Sequence, residues 1–271
     1  MQPASYTGCM PAEHAVAASR APRLLALDCA TERLAVAVVD GAVVWCVDEA
    51  GGAAASSRLL PCIFEQLAQA GLTLRDLDAV AFGCGPGAFT GLRGACAVAQ
   101  GLAFGAGLPV LAIDSLAIVA EGAWQAHGAP AAQLWVAMDA RLDGVYAAAY
   151  RRDGDVWQTE EAPALWRVDA LAEHWQRVPA RGVAGSAVAA YPGRLATGEA
   201  RVWPSPADRA QALASLARAA WQRAQVLPAS QALPHYLRDK VALTTAERAA
   251  AAEAAEAAAT LARPAATPAA A

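Results

Sequence analysis

One order of strands and aspartates occurs twice in this 271-residue chain, and this repeat limits the folds that the chain can adopt. In each half an apolar strand ends at an aspartate, a short linker and a second strand follow, and an Asp-Gly turn leads into a third strand. The corresponding positions are Asp28 and Asp139 at the strand ends, and Asp40-Gly41 and Asp153-Gly154 at the turns. The repeat predicts two lobes of similar build. The alternative is a chance occurrence of two common β-hairpins.

Hydrophobic periodicity assigns the remaining elements and predicts a β-β-β-α-β-α-β-α order for the first half. Its elements are strands at 24–28, 34–39 and 42–47, a helix from Ser56-Ser57 to Gly71, a strand at 78–84, a helix from about Thr90, a strand at 109–113 and a helix from Ser115. Those of the second half are strands at 133–139, 145–151 and 156–157, a helix near 169–178, a strand near 182–185 and a helix at 208–224. We expect the α/β class, with two βββαβα-type lobes on mixed five-stranded sheets. Two such halves face each other across a cleft in the actin, sugar-kinase and Hsp70 (ASKHA) class of folds.

Composition divides the chain into four parts. We expect an N-terminal lobe at 23–128 and a C-terminal lobe at 129–243. Residues 1–22 are rich in Ala and Pro, which predicts a disordered extension or an upstream start with Met10 nearer the true one. Residues 244–271 are mostly Ala, with little to bury, so a frayed helix or disorder is expected in this low-complexity tail.

Bulk properties exclude several classes of protein. The net charge of −4 gives no general attraction to nucleic acid or to anionic membranes. The most apolar stretch, at 95–113, is interrupted by Gly and Pro and predicts a helix followed by a strand rather than a membrane span. Six scattered cysteines without a C-x-x-C pair suit the reducing cytoplasm. Four histidines without H-x-x-x-H spacing argue against a zinc site.

The two strand-end aspartates are the first candidates for chemistry. Across a cleft, Asp28 and Asp139 would face each other and could orient a metal–phosphate group or a water, while Thr31 could donate to a phosphate oxygen. This interpretation describes a free-standing actin-fold ATPase or kinase. The simpler interpretation is that each aspartate caps the turn that follows it.

A glycine-rich segment at 85–93 is the second candidate. Gly85 and Gly87 permit positive φ and close approach, Thr90 could cap the following helix, and exposed N–H groups could bind an anion. No Gly-Lys-Ser/Thr follows, so the segment is not a Walker loop. Further along the same helix, Gly94, Ala97, Gly101 and Gly105 share one face, which suits either packing inside the domain or a contact with another subunit.

Four segments together resemble the signatures of the bacterial TsaB (YeaZ) family, in the order and at the spacing of that family. They are Leu27-Asp28-Cys29-Ala30-Thr31-Glu32, Gly85-Pro86-Gly87-Ala88-Phe89-Thr90-Gly91-Leu92-Arg93, Asp139-Ala140-Arg141-Leu142-Asp143-Gly144-Val145-Tyr146 and Pro234-His235-Tyr236-Leu237-Arg238. The resemblance covers about residues 23–243, and the glycine-rich signature is highly specific.

This resemblance implies a non-catalytic subunit for tRNA N6-threonylcarbamoyladenosine modification, with a duplicated actin-like fold. The family binds and stabilises its catalytic paralogue TsaD through N-lobe helices, acts with the ATPase TsaE, meets tRNA indirectly, and can form a homodimer by related surfaces. It implies no catalytic or metal-binding residue and no cofactor in this chain, since ATP and a metal ion are expected on the partners. The candidate interface residues are Leu59, Leu60, Ile63, Phe64, Gly94, Ala97 and Gly101. The candidates for a vestigial nucleotide or phosphate site are Asp28, Thr31, Gly85, Gly87, Thr90, Arg93 and Asp139.

Overall fold

The computed structural model describes residues 20–52, 55–128, 133–203 and 208–238, which form two five-stranded sheets and six α-helices. The predicted tail at 244–271 lies outside the described residues, as does the predicted extension at 1–22 except for its last three positions. The predicted lobe boundaries stay predictions.

The first sheet has the strand order β3-β2-β1-β4-β5. Its strands are β1 (Arg23–Asp28), β2 (Arg33–Asp40), β3 (Val43–Ala50), β4 (Ala79–Gly85) and β5 (Val110–Asp114). The first three strands are antiparallel, and β4 and β5 continue the sheet in parallel with β1. A two-residue turn joins β2 to β3, with Gly41 at φ +60°, as the Asp-Gly signal predicts.

The second sheet repeats this arrangement in the order β10-β9-β6-β7-β8. Its strands are β6 (Leu134–Asp139), β7 (Gly144–Asp153), β8 (Val156–Arg167), β9 (Gly182–Ala184) and β10 (Arg201–Trp203). Strands β6 to β8 are antiparallel, β9 and β10 are parallel to β6, and Gly154 forms the matching turn at φ +59°. The predicted duplication and the predicted mixed sheets are therefore confirmed.

The six helices occupy corresponding places in the two halves. They are α1 (Ala55–Ala70), α2 (Phe89–Ala106), α3 (Ser115–His127), α4 (Val168–Arg177), α5 (Ala187–Ala190) and α6 (Arg209–Gln222). The short elements α5 and β10 complete the second half where the hydrophobic pattern alone does not mark them. Within the described ranges, no helix has both the length and the apolar character needed to cross a bilayer.

The third helix of each half packs on the sheet of the other half. Leu213 and Ala217 of α6 pack with Leu24 and Ala26 of β1, in one core on the first sheet. In the same way, α3 packs on the second sheet with the apolar side chains Leu116, Val119, Ala120 and Ala123. This exchange joins both sheets into one compact unit.

The opposite face of each sheet is covered by the lobe's own first two helices. In the first lobe, α1 and α2 bury Leu59, Ile63, Ala95 and Ala99 against the strands. In the second, α4 and the short α5 cover the corresponding face. The outer sides of these two pairs of helices are where the lobes differ.

Candidate functional site

Asp28, at the end of β1, is fully buried and does not face an open cleft. Its Oδ2 accepts a hydrogen bond of 2.5 Å from Nη2 of Arg209, the first residue of α6, in a buried ion pair. Its Oδ1 accepts one of 3.1 Å from Oγ of Ser115. The prediction that this carboxylate looks into a cleft is corrected, because a helix from the second half brings a cation against it.

The neighbouring strand is shaped to admit this carboxylate. A Cβ at Gly83 of β4 would lie 1.8 Å from Oδ1 of Asp28, so no other residue type fits without displacing the ion pair. Thr31 is also occupied locally, since its Oγ1 accepts a hydrogen bond of 3.2 Å from the backbone N–H of Arg33. Both groups therefore have partners inside the protein.

Asp139, at the end of β6, has a more open environment. Its Oδ1 accepts hydrogen bonds of 2.8 Å from the Tyr191 hydroxyl and from the Arg141 backbone N–H, and its Oδ2 lies 3.2 Å from Nη1 of Arg141. Asp139 thus caps its own turn, as the simpler interpretation held. Burial, together with the Asp139 contact, raises the pKa of Tyr191 to about 12. A concavity of about 480 Å³ lies here, lined by Asp139, Arg141, Leu142, Asp143, Ala190 and Tyr191.

The glycine-rich segment packs its backbone against the turn that follows β1. A Cβ at Gly87 would lie 2.3 Å from the carbonyl oxygen of Ala30, and one at Gly91 would lie 1.9 Å from that of Cys29. The Ala88 N–H donates to the Ala30 carbonyl at 2.7 Å, and the Gly85 N–H donates to Ser115 Oγ at 3.0 Å. Close packing within the lobe therefore accounts for these glycines.

Thr90 does not cap α2. The N-cap is Ala88, which makes no side-chain hydrogen bond to the helix, and Thr90 is the exposed second residue of α2. The structure thus places Asp28, Gly85 and Gly87 in one region of the first lobe. There the Asp28 carboxylate already accepts hydrogen bonds from Arg209 and Ser115. Among the described residues, the polar partners of the Asp139 side chain, Arg141 and Tyr191, come from the second half.

The apolar stripe of α1 divides between its inner and outer sides. Leu59 and Ile63 are buried in the core, whereas Leu60 is 41% and Phe64 is 51% exposed. Of these four candidate interface residues, Leu60 and Phe64 are therefore the ones that face outward.

The outward-facing glycines of α2, Gly94, Gly101 and Gly105, do not serve packing inside the domain. A Cβ added at Gly94, Gly101 or Gly105 meets no atom within 4 Å, and Phe104 is 80% exposed. α1 and α2 contact each other, and the apolar and small residues on their outward sides make up one candidate surface. We call this surface the open helix face, and it comprises Leu60, Phe64, Gly94, Ala97, Gly101, Phe104 and Gly105.

Two features of this region were not among the predicted site residues. Phe104 lies three residues after Gly101 on the same helix face, so helical periodicity could have found it. The other feature is an aromatic cluster in which the Tyr236 and Phe89 rings lie 5.2 Å apart and the Arg93 guanidinium carbon lies 3.7 Å from the Phe89 ring centre. Tyr236 and Phe89 are far apart along the chain, so no local sequence pattern indicates that they are in contact.

The buried thiols of this lobe are poor nucleophiles. Burial, with a smaller contribution from Asp28, raises the pKa of Cys29 to about 12, and burial together with Asp114 does the same for Cys84. Across the part of the chain that the structure describes, no three His, Cys, Asp or Glu side chains are grouped to hold a metal ion.

The relatives found by sequence comparison include proteins named for one tRNA modification, the synthesis of threonylcarbamoyladenosine. The family model described as TsaD, tRNA N6-adenosine threonylcarbamoyltransferase, matches residues 49–180. The chain is 38% identical to the tRNA threonylcarbamoyladenosine biosynthesis protein TsaB of Escherichia coli over 157 residues, or 58% of this chain and 67% of that protein. It is 45% identical to the TsaB of Haemophilus influenzae over 123 residues, which are 45% of this chain and 51% of that protein.

Structural comparison agrees over a longer stretch. A Pseudomonas aeruginosa structure described as similar to the peptidase YeaZ matches with a TM-score of 0.73 and 38% identity, covering 80% of this chain and all of that one. The structure of YeaZ from Pseudomonas aeruginosa matches with a TM-score of 0.71, 35% identity and the same coverage.

Proposed function

Because the chain belongs to the TsaB (YeaZ) family of tRNA threonylcarbamoyladenosine biosynthesis proteins, we propose that it serves this modification as a non-catalytic subunit. Its role is to bind and stabilise a TsaD-like catalytic paralogue. The match of a TsaD family model to residues 49–180 supports common descent of the two proteins.

The observation that carries this proposal is the open helix face. The face spans two helices of 16 and 18 residues, about 24 and 27 Å long. Burial of an exposed Phe side chain contributes up to about 3 kcal/mol, and glycines let a partner helix approach closely. A surface with two exposed Phe side chains beside three open glycines suits a helix-to-helix contact with another protein.

The first lobe supports the proposal that this chain holds no nucleotide of its own. The Asp28 carboxylate is fully buried against Arg209 and Ser115, so it is not available to a metal–phosphate group. The residues present do not fit a nucleotide at this position, which speaks against the free-standing ATPase or kinase. ATP and the metal ion of the reaction accordingly belong to the partner proteins.

The assembly that follows from this role is cytoplasmic and has further members. A TsaE-like ATPase joins the pair, and tRNA contacts the assembly mainly through the catalytic paralogue, in keeping with the net charge of −4 of this chain. When the paralogue is absent, a second copy of this chain covers the open helix face.

The test of the docking surface is the substitution Gly101→Leu. Space is open around Gly101, so the variant keeps its fold, but the new side chain holds a partner helix away. We expect binding to the TsaD-like paralogue of the same organism to weaken about tenfold or more in calorimetry. Gln176→Leu on the exposed side of α4 is the matched control and should bind normally. Equal affinity of Gly101→Leu and the original protein would contradict the proposed surface.

The test of the role is reconstitution of threonylcarbamoyl transfer with and without this chain. We expect modification to depend on the chain and to fall when Gly101→Leu replaces it. Titration of the isolated chain with ATP and magnesium should release no binding heat. Full activity without the chain, or tight binding of ATP to it, would refute the subunit role.

A further inference from the structure

We propose that Arg93 is the polar anchor of the open helix face, and that it pairs with a carboxylate of the catalytic paralogue. The inference rests on the proposed function and names one chemical group that the partner must supply. Arg93 precedes Ala97 and Gly101 by four and eight residues on α2, so the three lie along one stripe of the helix. The guanidinium therefore stands at one end of the apolar surface and Phe104 at the other.

Two aromatic side chains hold the guanidinium in place. Its carbon lies 3.7 Å from the centre of the Phe89 ring and 5.7 Å from that of Tyr236. Its Nε donates a hydrogen bond of 2.8 Å to the Tyr236 hydroxyl. An arginine held in this way loses less conformational freedom when it binds than a mobile one does.

The guanidinium has no acidic partner within the residues that the structure describes. Nine other arginines form ion pairs there: Arg20, Arg23, Arg33, Arg58, Arg141, Arg151, Arg152, Arg194 and Arg209. Arg93 is exposed and forms none of these pairs. An oriented, exposed cation beside an apolar docking surface calls for a complementary anion on the partner, and a carboxylate matches the planar fork of the guanidinium.

The C-terminal segment fixes Tyr236, which makes Tyr236 a positioning residue for Arg93. The His235 N–H donates to the Cys84 carbonyl at 2.6 Å, and the Cys96 thiol donates to the Ala232 carbonyl at 2.8 Å. Gln100 of α2 donates to the Ala229 carbonyl at 3.2 Å. The segment thus lies along α2 on a side other than the open face and presents its tyrosine to Arg93.

A protein carboxylate is favoured over a tRNA phosphate as the occupant because of the neighbouring surface. The rest of the stripe is apolar and uncharged, from Ala97 to Phe104, whereas a phosphate backbone is bound by several cations together. Continuity with the open helix face places the anion on the same partner that covers that face.

The experiment compares Arg93→Gln and Tyr236→Phe with the original protein in calorimetric titrations against the catalytic paralogue, at low and high salt. We expect Arg93→Gln to bind about tenfold more weakly and to lose most of the salt dependence. Tyr236→Phe keeps the stacked ring but loses the hydroxyl, and should bind about threefold more weakly. Arg177→Gln, which removes an exposed charge from α4, is the matched control and should leave affinity unchanged.

The outcomes separate this inference from the proposed function. If the original protein binds the paralogue, and Gly101→Leu weakens binding while Arg93→Gln does not, the inference fails and the subunit role stands. If the original protein does not bind, the subunit role itself fails. If Arg93→Gln leaves the protein contact intact but weakens binding of tRNA to the assembled complex, the anion is a phosphate and the inference is overturned. A double-mutant cycle that couples Arg93 to one carboxylate of the paralogue would support it.

Discussion

Asp28 and Asp139 end the first strands of the two lobes, and their surroundings are opposite. Asp28 is fully buried, with Arg209 on one oxygen and Ser115 on the other. Asp139 is partly exposed, caps its own turn and borders a concavity. The same strand-end residue is therefore part of the core in one lobe and part of the surface in the other. Residues at equivalent positions of the two lobes therefore differ in their chemical environment.

The outer helices show a second difference between the lobes. In the first lobe α1 and α2 are long and leave an apolar side uncovered within the described residues, with Phe64 and Phe104 exposed. In the second lobe α4 has 10 residues, α5 has four, and the exposed side of α4 carries Glu173, Gln176 and Arg177. The two sheets share one arrangement, whereas the helices over them differ, and the proposed docking surface lies on the helices of the first lobe.

The largest effect should come from the substitution Asp28→Asn. It leaves the buried Arg209 guanidinium without its charged partner, which typically costs about 3–5 kcal/mol. Asp139→Asn in the second lobe should cost about 1 kcal/mol or less, since Asp139 is partly exposed. Urea unfolding of both variants measures the difference. Similar losses of stability in the two variants would contradict the contrast between the aspartates. The double variant Asp28→Asn/Arg209→Met should recover part of the stability that Asp28→Asn loses.

Two glycines of the first lobe should respond to alanine in opposite directions. At Gly83 the new methyl group would lie 1.8 Å from the Asp28 carboxylate, so Gly83→Ala should destabilise the protein by about 1–3 kcal/mol. Around Gly101 the space is open, and Gly101→Ala should stabilise α2 by about 0.5–1 kcal/mol. Thermal unfolding of the Gly83→Ala and Gly101→Ala variants measures both changes in stability. A loss of stability at Gly101 would mean that its face is packed after all.

The smallest effect concerns the junction between the lobes, where Asp114 of β5 accepts a hydrogen bond of 2.5 Å from Tyr150 of β7. Burial raises the pKa of the Asp114 carboxyl above its ordinary value of 3.8, against opposing contributions from the Tyr150 hydroxyl and from His235. The folded state then binds the proton more tightly than the unfolded state does. Stability should therefore fall as the pH rises from about 3.8 through the raised pKa.

Asp114→Asn removes this titration. The free energy of unfolding of the variant, measured in urea from pH 4 to 7, should lack the decline seen in the original protein. Asn also caps helices well, so α3 should keep its N-terminus. Parallel curves for the two proteins would show that Asp114 does not contribute to the pH dependence.

Most of the secondary structure could be predicted from local sequence patterns. The strands β1, β2, β6 and β7 and the helices α1 and α6 follow from periodicity, turn glycines and strand-end aspartates, because these signals lie within a few residues of one another. The two short elements, α5 and β10, have three or four residues and offer no period to detect. The resemblance to the TsaB family likewise needed only four short segments of sequence.

The site depended on contacts that join distant parts of the chain. The amino-acid sequence determined the duplication, the two aspartates and the small-residue face of α2, since each is a property of neighbouring residues. Only the tertiary structure decided that Arg209 neutralises Asp28 across 181 positions, that Leu60 and Phe64 rather than Leu59 and Ile63 face outward, and that Tyr236 holds Arg93. Burial and ion pairing depend on which surfaces meet after folding, and local periodicity does not specify which surfaces those are.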